Sequence, residues 1–445
     1  MTEKYRRFLH AVRAFIPCER VYTDYLRRLA WGTDAGFYRL VPQIVVRAAG
    51  EEEVVRLMQT AARLGVPLTF RAAGTSLSGQ AGSDSGLVVA GKHWERCEVL
   101  DGGCAVRLQP GVVGARVNEV LKPYGYRFPP DPASIRSAMV GGIVMNNASG
   151  MNCGTHANSD RMLLSARLVL ADGTLLDTGD GASRRAFSES HAGFLRAIET
   201  LRDRVRGDKA LTERILHKYS IKNVMGLNLL PLVQFDDPFE IIAHLLVGSE
   251  GTLAFLAGVT MRTEREYEHK ASAMVYFSDI GEACRAVVEM RKLQDAAGQR
   301  IVHSAEMLDR KSLASVGDTT GEGLTAVLTE TKAHTPEELA AEVYAACGDP
   351  FWMLLAHRND RFAQEYSLLG ADLTISGHGH GGIWRFPFVG GVFGTQRNLF
   401  PTHTAGFYSD NGASVFVSRG LGNSPRVIPR ILNRPQVAVI TLERG

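Results

Sequence analysis

Strand-like and helix-like hydrophobic patterns alternate along most of the chain, the mark of an α/β or α+β protein. QIVVRA (43–48) is a short β-branched run. EEEVVRLMQTAARLG (51–65) then carries apolar residues at helical spacing and stops on Gly65. VPLTFRA (66–72) reads as a buried strand, GLVVAG (86–91) and CAVRLQPG (104–111) as further strands, and ARVNEVLKPYG (115–125) as a short helix ended by Pro and Gly. ARLVLADGTLLDTG (166–179) predicts a hairpin with Asp172-Gly173 at its turn. The opening MTEKYRRFLHAVRAFIP has Arg and His inside its apolar pattern, so it reads as an amphipathic helix rather than a signal peptide.

The pattern shifts near residue 268. There follow strand ASAMVYF (271–277), helix EACRAVVEMRKLQDAAG (282–298), strands IVHSAEML (301–308) and LTAVLTETKA (324–333), and helix TPEELAAEVYAA (335–346) with a capping box. A second shift near 348 leads to strand FWMLLAH (351–357), helix DRFAQEYSLLG (360–370), strand ADLTISGHGHGG (371–382), and the last strands ASVFVSRG and QVAVITLE.

Length and charge narrow the function classes. A chain of 445 residues implies two or three domains, and 45% hydrophobic with 22% charged residues is the balance of a globular protein. A net charge of +3 gives no reason to expect nucleic acid as a partner, and no apolar run is long enough for a membrane span. Six cysteines stand singly without a C-x-x-C pair, which argues against iron–sulfur or zinc–thiolate sites and for a reducing, cytoplasmic compartment.

Candidate chemistry lies in three glycine-rich stretches. In RAAGTSLSGQ (71–80), glycines let the backbone approach a ligand and successive N–H groups form an anion-binding nest suited to a diphosphate. PPDPASIRSAMVGGIVMNNASGMNCGT (129–155) sets small and amide side chains around an apolar stretch, GIVM, read as a strand, and offers backbone amides to a flat ring system. In HLLVGSEGTLAFLAGVT (244–260), residues 248–252 interrupt apolar strands. Each alone is also compatible with ordinary turn chemistry. Trp94 reads as core, and His156 as a solvated loop residue.

With ARLVLADGTLLDT (166–178), KYSIKNVMGLNLLPLVQFDDPFEIIAHLLVGSEGTLAFL (218–256) and LTAVLTETKAHTPEEL (324–339), these stretches resemble the D-lactate/2-hydroxyglutarate dehydrogenase branch of the vanillyl-alcohol-oxidase-type flavoproteins. The resemblance covers roughly 38–346. It implies an N-terminal helical segment (1–37), a two-subdomain α+β FAD-binding domain (38–267) and a truncated α+β substrate cap (268–347). FAD would contact Arg71, Ala73, Gly74, Thr75, Ser76, Leu77, Ser78, Gly79 and Gln80, with its diphosphate on the 74–79 loop. Pro132, Gly141, Gly142, Asn146, Asn147, Ser149, Gly150, Gly154 and Thr155 would approach the ribityl and flavin portions. Glu250, Gly251 and Thr252 would close the site, with Lys222 and Asn223 either nearby or capping a loop. With no His or Cys in 71–80, that loop has no candidate for a covalent flavin link. The implied partners are a small 2-hydroxy acid and an electron acceptor (a quinone, a cytochrome or an electron-transfer flavoprotein), with peripheral contact at the inner membrane face as one arrangement.

The cap region lacks the G-H-x-x-D-G-N-x-H-type stretch whose histidines meet the hydroxy acid or a metal in that family. Hydride removal needs a base for the hydroxyl proton and a cation for the carboxylate, so the resemblance implies FAD capture more firmly than turnover, and no catalytic residue is assigned. Residues 348–445 instead resemble the C-terminal end of calcineurin-like metallophosphoesterases, an α/β fragment in which His357, His378 and His380 match ligands for Mn, Fe or Zn. The D-x-H, G-D-x-x-D and G-N-H stretches that complete such a site are missing upstream. A metal-dependent phosphoesterase with an incomplete site, or an inactive fusion that binds flavin only, are the alternative readings.

Overall fold

The computed structural model describes residues 1–267, 269–294, 300–315, 324–333, 338, 353–356, 359–377, 384–386, 388–393 and 399–419. The chain divides into two compact units, Met1–Glu266 and Tyr267–Gly445.

The first unit is built on two sheets. Strands Ile44–Arg47, Gly86–Val89 and Leu68–Arg71 run parallel, with the short Val21–Tyr22 antiparallel at one edge. Residues 44–46 and 86–89 are buried without alternation, as parallel strands covered on both faces require. The helix Glu51–Leu64 covers one face through Val54, Leu57 and Ala61, which pack with Phe8 and Val12 from the helix Glu3–Arg13 and with Ile16 just beyond it in a single core. Three glutamates open the first of these helices, where the helix dipole favours negative charge, and Gly65 closes it at φ +63°, the left-handed cap that glycine adopts without strain. Trp94 is buried in the same core and donates from Nε1 to the Ala48 carbonyl at 2.8 Å. Trp94→Phe should cost about 1–3 kcal/mol, because it leaves the buried Ala48 carbonyl without its donor; the check is a lower urea midpoint with an unchanged slope.

The second sheet is antiparallel, in the order Cys97–Leu100, Ala105–Leu108, Phe255–Arg262, Leu163–Val169, Leu175–Asp177. The Asp172-Gly173 turn joins its last two strands with Gly173 at φ +90°. Helices Gly114–Leu121, Val140–Met145 and Pro238–Leu246 share its core. Two expected strands are corrected here. GIVM lies in the helix Val140–Met145, and HLLV lies at the end of the helix Pro238–Leu246 and just beyond it, before the strand that begins at Phe255. Both are short apolar runs buried on nearly every side, so they carry no polar face to reveal the period.

In the second unit, the antiparallel order His269–Phe277, Thr325–Ala333, Ser304–Leu308 goes with the helix Ile280–Met290. A further sheet sets Met353–Ala356, Leu373–Ser376 and Ala413–Val417 in parallel, with Gly406–Asp410 antiparallel at its edge. The helix expected over 360–370 is two single 3₁₀ turns, Asn359–Arg361 and Tyr366–Leu368. The expected helix 335–346, apart from Glu338, and the expected strand 436–443 lie outside the described residues.

Candidate active site

Arg71 ends the strand Leu68–Arg71, and the chain leaves the sheet as a loop in which Gly74 (φ +73°) and Gly79 (φ +85°) take left-handed conformations. The Arg71 guanidinium turns back beneath this loop. It donates from Nη1 to the carbonyls of Trp31 (2.9 Å) and Thr33 (2.7 Å) and lies over the Trp31 ring. Burial pulls its pKa down, opposed by the nearby Asp34 carboxylate, and its Nε has no partner among the described residues. Asp34 also accepts from the N–H of Gly79 at 3.0 Å. The N–H groups of residues 73–77 reach no acceptor among the described residues, so they form a row of donors over a buried cation.

These donors border a cavity of about 380 Å³ inside the first unit. Arg71, Ala73, Gly74, Thr75, Ser76, Leu77, Ser78 and Gln80 form one wall; Pro132, Gly141, Gly142 and Asn146 form another; Glu250 and Gly251 lie on a third. Close packing explains Gly141, where a Cβ would stand 2.7 Å from Pro110. At Gly142 and Gly251 a Cβ would meet nothing within 4 Å, so both glycines keep space open.

Glu250 is the one carboxylate on the wall among the described residues. It adopts φ +53°, unusual for a residue with a side chain, and its N–H donates to the Met145 carbonyl at 2.9 Å. Its Oε1 accepts from Asn146 Nδ2 at 2.6 Å and from Gln80 Nε2 at 3.5 Å. Burial raises the carboxyl above its ordinary value, and these two amides oppose the rise.

Other expected contacts turn away from the cavity. The Asn147 Oδ1 accepts the Asp160 N–H at 3.2 Å, and Ser149 Oγ donates to Asn158 Oδ1 at 2.9 Å. Gly150 packs so tightly on the Asp131 carbonyl that a Cβ would overlap it. Gly79 lies against the Tyr38 ring, Gly154 next to His156, and Thr252 Oγ1 donates to the Ser249 carbonyl. Thr155 does not line the cavity either. Lys222 Nζ donates to the Gly150 carbonyl at 2.7 Å and fastens that loop, while Asn223 Nδ2 is buried without a partner among the described residues. His156 is exposed, 3.8 Å from Glu264. The sequence reading missed apolar lining residues such as Phe70, Pro110, Met139, Ile143 and Phe255. Only the glycine-rich neighbours of these residues mark them in the sequence.

Among the described residues, the lining offers loop amides that suit a diphosphate and small and apolar residues that suit a flat ring. His357, His378 and His380 lie outside the described residues. Among the described residues, no group of three or more His, Cys, Asp or Glu is arranged to hold a metal ion. No helix among them is long and apolar enough to cross a membrane.

Residues 42–179 match the sequence model of an FAD binding domain. The chain is 28% identical over 287 residues to the D-2-hydroxyglutarate dehydrogenase of Escherichia coli (strain K12), an overlap of 61% of this chain and 27% of that protein. It is 26% identical over 250 residues to the D-lactate dehydrogenase of Archaeoglobus fulgidus, covering 56% of this chain and 45% of that one. The chain thus spans from about a quarter to under half the length of these curated relatives. An alkyldihydroxyacetonephosphate synthase shares the fold over 74% of this chain and 56% of its own, with 16% identity and a TM-score of 0.50. Residues 42–179 are thus similar to an FAD binding domain, within a longer stretch similar to parts of D-lactate and D-2-hydroxyglutarate dehydrogenases.

Proposed function

We propose that the chain holds FAD without a covalent bond in the 380 Å³ cavity and acts on a small D-2-hydroxy acid. The observation that carries the reading is the run of N–H groups at 73–77, without acceptors among the described residues, in a loop that lines the cavity together with Gly142 and Gly251, where an added Cβ would meet nothing within 4 Å. Five donors in one loop, with the Arg71 cation beneath them, offset the charge of a diphosphate. Glu250 would accept a hydrogen bond from a hydroxyl of the cofactor, with Gln80 and Asn146 fixing the carboxylate for that bond. Bound FAD supplies a two-electron acceptor for a hydride leaving the substrate carbon.

The base and carboxylate-binding cation are not assigned, because the family stretch that supplies them is missing from the sequence. Turnover well below that of a complete dehydrogenase is the expected result, with a quinone, cytochrome or electron-transfer flavoprotein as acceptor. The C-terminal stretch adds no chemistry to this reading. Two-metal phosphoester hydrolysis needs a bridging carboxylate, and the motifs that would bring it are missing from the sequence.

Visible absorbance of the purified chain, reconstituted with FAD, tests both levels. A flavin band that stays with the protein through gel filtration and bleaches slowly on adding D-2-hydroxyglutarate or D-lactate is the expected outcome. A retained band that neither acid bleaches would remove the dehydrogenase reading and leave FAD binding standing. A colourless protein after reconstitution would remove both.

A further inference from the structure

The donor loop is held from outside the cavity by the segment 31–38, none of whose residues lines it. Thr33 bridges to Arg39 in antiparallel fashion, and the Leu40 N–H donates to the Gly32 carbonyl at 3.0 Å, which closes 33–39 into a hairpin-like loop. Inside it, Asp34 Oδ1 accepts the Gly36 N–H at 2.7 Å, the local turn that an aspartate makes with the amide two residues on.

The other oxygen of the same carboxylate reaches across the chain. Asp34 Oδ2 accepts the Gly79 N–H at 3.0 Å, and the Ala35 N–H donates to the Ser76 carbonyl at 3.1 Å. Gly36 lies so close to Leu77 that a Cβ would stand 2.5 Å from the Leu77 carbonyl oxygen, and the Tyr38 ring covers Gly79. At the loop's start, Arg71 donates to the carbonyls of Trp31 and Thr33. The segment thus grips the loop at both ends, at Arg71 and over 76–79.

Such a grip has a physical use. A glycine-rich loop has many conformations, and a ligand that must select one of them binds more weakly by the cost of ordering it. Within the loop, Ser76 Oγ meets Gln80 Oε1 and accepts the Ser78 N–H at 3.2 Å; both contacts leave the N–H groups of 73–77 free.

On the reading that this cavity holds FAD, we propose that Asp34 is a positioning residue for the cofactor: one oxygen shapes its own turn, the other holds Gly79, and the amides of 73–77 are thereby kept ready for the diphosphate. The grip precedes residues 42–179, the stretch that matches the FAD-binding sequence model. Charge alone predicts the opposite effect. A carboxylate beside an anion site repels the anion and offsets Arg71, so deleting the charge without a change of geometry would tighten FAD.

Asp34→Asn separates the two. It keeps an oxygen for Gly36 and turns an amide towards the Gly79 N–H, where no acceptor then remains. FAD affinity is read by flavin fluorescence on the folded full chain, and amide hydrogen exchange by mass spectrometry on the FAD-free chain. The expected result is FAD binding weaker by about tenfold or more, with faster exchange over 73–80 and unchanged exchange in the strand Gly86–Val89. In the wild type, FAD should slow exchange over 33–38, although that segment does not line the cavity. Gly36→Ala keeps the carboxylate but pushes the hairpin off Leu77, so it should also weaken FAD and decides alone if Asp34→Asn does not fold. The proposal is overturned if Asp34→Asn binds FAD as tightly as the wild type or more tightly, or if it binds more weakly with exchange over 73–80 unchanged. Wild-type binding that neither variant alters removes this proposal alone; a wild-type chain that takes up no FAD removes the cofactor reading and the proposal with it.

Discussion

Gly74→Val should yield a chain that no longer retains FAD through gel filtration. Gly74 stands at φ +73°, where a β-branched residue is strained by about 1–2 kcal/mol. The larger effect is steric. A Cβ at this position would lie 2.1 Å from Arg71 Nη2 and 2.4 Å from its Cζ. That guanidinium cannot simply swing aside, since it is buried and bonded to the carbonyls of Trp31 and Thr33. Moving it releases the 31–33 segment and changes the path of the donor loop above it. Some of the loss will therefore be stability, and Gly142→Ala separates the two effects. Gly142 is inside a helix, its φ is ordinary, and an added methyl meets no atom within 4 Å. Alanine there stabilises the helix by up to about 1 kcal/mol, yet its methyl enters the space proposed for FAD. The expected pattern is an unchanged or raised melting temperature with weaker FAD binding. If both variants keep FAD with wild-type affinity, the cofactor lies elsewhere.

Why part of this was legible in the sequence and part was not follows from the range of the forces involved. The helix Glu51–Leu64 announces itself because its buried residues recur every three or four positions and Gly65 ends it, all within one local stretch. The Asp172-Gly173 hairpin is equally local. Val140–Met145 reads ambiguously because every residue of the helix but Gly142 is buried, which leaves no polar face to distinguish a period of about 3.6 residues from one of about 2. At the candidate site, the 71–80 loop shows itself by its glycines and hydroxyls. Asn147 and Ser149 read like its natural partners, but their side chains answer Asp160 and Asn158, some ten residues further on.

Glu250→Gln should make the FAD-free chain more stable at neutral pH while weakening its hold on FAD. The carboxyl is raised above its ordinary value chiefly by burial, with the Asn146 and Gln80 amides opposing the rise. In the unfolded chain the group titrates at its ordinary value. Between that value and the raised folded one, the native state binds the extra proton, so stability falls as pH climbs through this window. Above the folded value the whole penalty stands; below the unfolded value it is gone. Glutamine carries no charge to desolvate, so the variant's melting temperature should exceed that of the wild type at neutral pH and converge with it in acid. The left-handed backbone at Glu250 is strain of the kind a fold keeps where a ligand repays it. In the complex, a charge-assisted hydrogen bond is worth about 1.5–3 kcal/mol. Its loss should therefore weaken FAD by roughly ten- to a hundredfold, read by fluorescence quenching at pH values on both sides of the window. A variant less stable than the wild type at neutral pH would mean that Glu250 serves to tie Gln80 to Asn146. One with unaltered FAD affinity would take the carboxylate out of the binding site.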